Sequence, residues 1–152
     1  MRYFRLYEKV LGRNPLGYGR AGGRWNRPGM PMIYLSNYSS TNFLELLSIR
    51  GPFVTAVNCT MAVYNIDQEV PMLSLNALPE NWNSLPHSST TQALGETWIR
   101  EAGLPFLIVP SARLPLQAFP AEHNLLVNPL FPDFGKSLKV EEIWEVDFLL
   151  NS

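Results

Sequence analysis

A chain of 152 residues, 46% of them apolar and 12% aromatic, is long enough to bury one core and too hydrophobic to stay disordered. A net charge of −1, with nine arginines against three lysines, excludes the broad positive field that nucleic acid or an anionic membrane would need. The lone Cys59 excludes an internal disulfide, and its apolar setting suits a small buried hydrophobe better than a nucleophile.

In chain order, residues 2–8 alternate aromatic or aliphatic side chains with charge and read as a strand. This charged start does not resemble a signal peptide, and no apolar run approaches the roughly 20 residues of a membrane helix. A soluble cytoplasmic protein is therefore expected, and the sequons at Asn37 and Asn58 are read as chance matches. Residues 12–29 are rich in Gly, Arg and Asn and predict an irregular loop, followed by a short strand over 32–35. Ser39, Ser40 and Thr41 offer N-caps for a helix over 41–50. Residues 53–64 predict one long buried strand. Residues 88–103 predict a second helix with Leu94, Trp98 and Ala102 on one face and Gly103 as its stop. An apolar run over 104–109 ends at Pro110, and 139–150 close the chain as a strand or hairpin. Thirteen prolines keep these elements short. The set predicts an α+β domain with a mixed, strand-rich sheet core and a few short helices.

Several motifs fail on inspection. Gly135-Lys136-Ser137 ends like a P-loop, but Leu130 stands where the upstream glycine is needed. Gly22-Gly23 does not make a dinucleotide fingerprint. His87 and His123 lie far apart without a carboxylate or cysteine at ligand spacing, so no metal is expected. Ser111 is outside any nucleophile elbow.

What remains is the run Arg20-Ala21-Gly22-Gly23-Arg24-Trp25-Asn26-Arg27-Pro28-Gly29. Glycines let main chain approach a ligand closely, and arginines supply paired donors for phosphate or carboxylate. Trp25 suits a packing anchor for this loop. Beyond it stand Tyr34 and then Glu45, set within Phe43-Leu44-Glu45-Leu46-Leu47. A helix so apolar all round leaves Glu45 either on a narrow exposed edge, which periodicity slightly favours, or buried with a partner.

Gly23-Arg24-Trp25-Asn26, Gly29, Ile33-Tyr34-Leu35-Ser36 and Leu44-Glu45 resemble the first half of a RES-domain toxin. Pro105-Phe106-Leu107-Ile108-Val109-Pro110-Ser111-Ala112 is similar to that family's serine segment, and Glu122-His123-Asn124-Leu125-Leu126-Val127-Asn128-Pro129 to the segment after it. The chain departs at its end, where Asp147-Phe148-Leu149-Leu150 stands in place of an Asp followed soon by Arg-Leu.

The resemblance implies a single RES domain over 1–152 with an ADP-ribosyltransferase-like fold. It also implies the toxin half of a type II toxin–antitoxin pair, neutralised by an Xre-like antitoxin, and consumption of NAD+ as substrate with no resident cofactor. Carried over by position, Arg24, Glu45 and Ser111 are the expected catalytic residues. Arg24, Tyr34, Ser111 and Asn124 are the expected NAD+ contacts, with Asn124 equally able to serve only its own loop. Cleavage of the nicotinamide–ribose bond by water or phosphate is the first reading, and transfer of ADP-ribose to a protein the second. A vestigial pocket is the third, which the intact Arg, Tyr, Glu and Ser positions oppose. For the antitoxin-facing surface, Trp82, Phe119 and Phe131 are the expected apolar residues.

Overall fold

A computed structural model describes residues 1–148. Its strands are β1 (Arg2–Glu8), β2 (Ile33–Ser36), β3 (Cys59–Asn65), β4 (Phe106–Val109), β5 (Asn124–Val127) and β6 (Lys139–Val146). They form one six-stranded sheet in the order β4-β5-β2-β1-β3-β6. Every pairing between these strands is antiparallel, and a lone bridge between Met72 and Ile108 is parallel. The helices are α1 (Ser39–Arg50), α2 (Ser89–Glu101) and the single turn α3 (Phe134–Ser137).

The alternation of strand side chains sorts the interior into two cores. Ile33, Leu35, Phe106, Ile108, Leu125 and Val127 face one side with Tyr3, Ala62 and Tyr64. Leu107, Val109 and Leu126 face the other, where Trp25, Met32, Trp82 and Ile99 cover them. Strands covered on both faces lose the polar half of their pattern, which is why β4 and β5 are apolar or buried throughout. Cys59 is buried, as expected.

Three expectations are corrected. Residues 53–64 are not one strand: Gly51 adopts φ 55°, Pro52 opens a 3-10 turn over Gly51–Ala56, and β3 begins only at Cys59. Neither helix takes a side-chain N-cap bond: α1 follows extended Tyr38, and the Ser88 hydroxyl before α2 donates to Asn81 Oδ1 (3.1 Å). The buried stripe of α2 is Thr91, Gly95 and Ile99, with Leu94 and Trp98 beside it and Ala102 exposed. Gly103 does end that segment, at φ 61°. Residues 139–146 form a single strand against β3, while the divergent Leu149-Leu150 lies outside the described residues.

Of the three apolar residues expected to face an antitoxin, one is buried and two are half-buried. Trp82 is 5% exposed and packs on Trp25 with ring centroids 6.4 Å apart. Phe119 packs on the first core, and Phe131 is half-buried. Their proline-broken segments wrap the sheet and its loop instead of standing off it. Leu11, Ile49 and Phe53 are the prominently exposed apolar side chains.

Candidate active site

The glycine-arginine loop is irregular, as expected, and α2 fixes its shape. Gln92 Nε2 donates to the carbonyls of Gly23 (2.9 Å) and Asn26 (3.3 Å). One turn on, Gly95 admits the Trp25 main chain so closely that an added Cβ would lie 1.9 Å from the Trp25 carbonyl oxygen. Glu96 then receives Arg27 through its main-chain N–H (2.9 Å), Nε (2.9 Å) and Nη2 (2.9 Å). Arg27 holds the Glu96 carboxyl below its ordinary pKa, chiefly through these side-chain hydrogen bonds. Positions 92, 95 and 96 share one helical face, so a single surface clamps residues 23–27.

Tyr34 braces the same loop from beneath. Its hydroxyl accepts the Trp25 main-chain N–H (3.0 Å) and donates to Asn26 Oδ1. Burial pushes the phenol well above its ordinary value, so it stays neutral and can do both at once. Gly23 must be small here, because a Cβ would lie 2.8 Å from that oxygen. Between these anchors Arg24 turns toward residues 82–87, where its Nη1 donates to the carbonyls of Trp82 (3.0 Å) and Ser84 (3.0 Å).

Glu45 reaches the site from α1. Its carboxylate accepts the Ser111 hydroxyl at 3.1 Å, and Ser111, just past β4, is 3% exposed. The Ser36 hydroxyl donates to Asn124 Oδ1 (2.8 Å) across the β2–β5 register, which leaves the Asn124 amide hydrogens for Glu45. Burial raises the Glu45 pKa, while Asn124, Ser111, Arg113 and Arg24 pull the other way. Arg24 is lowered by burial and by Arg113, with Glu45 and Tyr34 opposing.

Glu45 is thus a half-buried acid with partners, not the exposed edge that periodicity favoured. Arg24, Glu45, Ser111 and Asn124 converge, and Tyr34 supports the loop that carries Arg24. Two residues were missed. Arg113, two positions beyond Ser111, is felt by both Arg24 and Glu45, and its place in the Pro-Ser segment was the available signal. His87, lowered by burial, Arg24 and Arg113, carried no signal once a metal role was set aside.

A cleft of about 390 Å³ opens alongside. The strands β1 and β2 pair at one position, Phe4 with Ser36, and the space beyond it is lined by Arg5, Arg13, Arg50, Leu46, Asn26 and Tyr34. Its lining includes Tyr34 and Asn26 but not Arg24, Glu45 or Ser111.

The model of the RES domain family matches residues 3–149, a span that holds all of these groups. The chain belongs to the RES domain family. Two proteins named Toxin Res are similar along it. That of Yersinia enterocolitica is 31% identical over 141 residues, 91% of this chain and 90% of the relative. That of Photorhabdus laumondii is 29% identical over 132 residues, 86% and 80% of the two chains. A Prs ADP-ribosylating toxin of a Sphingobium species is 26% identical over 126 residues, 80% and 74% respectively. The fold matches a chain in the crystal structure of the M. tuberculosis MbcT–MbcA toxin–antitoxin complex, with a TM-score of 0.71 at 18% identity. That match covers 96% of this RES domain and 84% of the other chain.

Proposed function

We propose that this RES-domain toxin destroys NAD+ by cleaving its nicotinamide–ribose bond, with water or phosphate as acceptor, and so arrests growth. The observation that carries the reading is Glu45: a half-buried carboxylate, bonded to Ser111 and acted on by Arg24. Departure of nicotinamide builds positive charge on the ribose, as in glycoside cleavage. A carboxylate held ready at that point stabilises the charge as it forms. An acid of raised pKa gains from such a cation, which favours its ionised form.

The remaining groups orient the substrate. Arg24 has Nη1 bound to two carbonyls, which leaves Nε and Nη2 to hold the dinucleotide. Ser111 and Asn124 fix the carboxylate and border the ribose. The Tyr34 ring, lining the neighbouring cleft, offers a flat face for nicotinamide. Transfer of ADP-ribose to a protein is the second reading, favoured by the similarity to a toxin named as ADP-ribosylating. The partner under either reading is an antitoxin, which we take to be Xre-like and to cover the site. The match to a chain of a toxin–antitoxin complex supports such a partner. The place of action under this reading is the cytoplasm.

Antitoxin-free protein incubated with NAD+, with and without phosphate, tests this by release of nicotinamide and by the identity of the ADP-ribose product. Silence with active, folded protein defeats both readings. Labelled ADP-ribose appearing on a protein band selects the second. Arg24→Ala and Glu45→Ala are each expected to relieve growth inhibition when the chain is expressed alone.

A further inference from the structure

Arg113 follows Ser111 in a tight turn, closed by the Leu114 N–H on the Ser111 carbonyl (3.4 Å). Its own main-chain N–H donates to Ser111 Oγ (3.3 Å), and that hydroxyl donates onward to Glu45 Oε1 (3.1 Å). The half-buried Arg113 is therefore tied to the acid through one intervening hydroxyl. Among the described residues its guanidinium makes no hydrogen bond or ion pair. Arg24 is held by the segment that also carries His87.

Two guanidiniums, those of Arg24 and Arg113, thus act on one half-buried carboxylate. Such a collection repels itself unless an anion joins it. The arginines of the adjoining cleft are differently placed: Arg50 is paired with Glu8, and Arg5 is bonded to the Pro15 carbonyl (3.0 Å) and lies over Tyr7. Arg13, the third arginine lining that cleft, is exposed to solvent. We propose that Arg113 is a second ligand-binding arginine, which with Arg24 clamps the diphosphate of the dinucleotide. Naming the dinucleotide rests on the NAD+ reading above; the anion site itself does not.

The test separates the two. Calorimetry with inorganic pyrophosphate on the full antitoxin-free chain is expected to give binding that Arg113→Gln weakens on the order of 10–100-fold. Arg113→Lys restores part of it, as a point charge without the planar fork. With NAD+, Arg113→Gln is expected to raise KM by a similar factor while kcat changes less. Melting temperature confirms that each variant folds, and Arg113→Lys carries the test if the glutamine variant does not. Pyrophosphate binding equal to wild type in a folded variant, or a loss of kcat at unchanged KM, overturns the proposal and leaves NAD+ cleavage standing. Pyrophosphate binding that depends on Arg113 in a protein that does not cleave NAD+ supports the anion site and rejects the cleavage reading.

Discussion

Replacing Gly95 with alanine sets two effects of one methyl group against each other. In an exposed helix the change gains about 1 kcal/mol, because glycine is the poorer helix former. Here the new Cβ would stand 1.9 Å from the Trp25 carbonyl oxygen and 2.8 Å from the Trp25 carbonyl carbon and Cβ. The obstacle is main chain, so no rotamer change relieves it. The loop also cannot drift, being tied by Gln92 to Gly23 and by Glu96 to Arg27. Overpacking of this kind costs about 1–3 kcal/mol and more where neighbours are fixed, which outweighs the helix gain. We expect a net loss of about 2 kcal/mol, or a fall in Tm of about 4–8 °C for a domain of this size. A shift of Trp25 moves Arg24 with it, and a misplacement near 1 Å is worth about 100-fold in rate. Urea unfolding and NAD+ turnover, run beside the exposed control Thr97→Ala, measure both. A Gly95→Ala protein as stable as wild type, with full turnover, refutes the view that α2 sets the position of the arginine loop.

Three further outcomes follow from the same geometry. Because burial raises the Glu45 pKa, the folded chain holds that proton more tightly than the unfolded one, and its contribution to stability is lost as pH rises through the raised value. Glu45→Gln is therefore expected to melt higher than wild type at neutral and mildly alkaline pH while losing turnover; a lower Tm there speaks against an acid of raised pKa. Glu96 is depressed by Arg27, so its contribution is present above the ordinary carboxylate range and lost as pH falls through the depressed value. Arg27→Ala should remove that acid-side loss from a plot of stability against pH, and an unchanged slope argues against the pair. Tyr34→Phe strands the Trp25 N–H, an omission worth about 1–3 kcal/mol, and should lower Tm and turnover together.

The legible parts of this molecule were those whose causes are local. Alternation in residues 2–8 follows from a strand's period of two, and β1 occupies those residues. A run dense in glycine and arginine cannot form regular structure, and the loop is irregular. The fate of Glu45 was not local. Its apolar helix would leave it on an edge, and its hydrogen-bond partner is Ser111, 66 residues later in the chain. Likewise the α2 stripe looked apolar at Leu94 and Trp98, yet the helix turns Gly95 and Glu96 inward because a loop 69 residues earlier supplies Arg27 as the partner. The run 53–64 reads as strand by propensity, and Gly51-Pro52 overrules it from just outside the window.

Those separations have an order in time as well as in space. Arg24 is made 58 and 60 residues before the two carbonyls that aim it, and Glu45 is made 66 residues before the hydroxyl that binds it. A chain still leaving the ribosome has its arginine and its acid but nothing to hold either. The site comes into being only when the second half closes on the first. A site wired in this sequence cannot assemble until Ser111 has been made, when most of the chain is already complete.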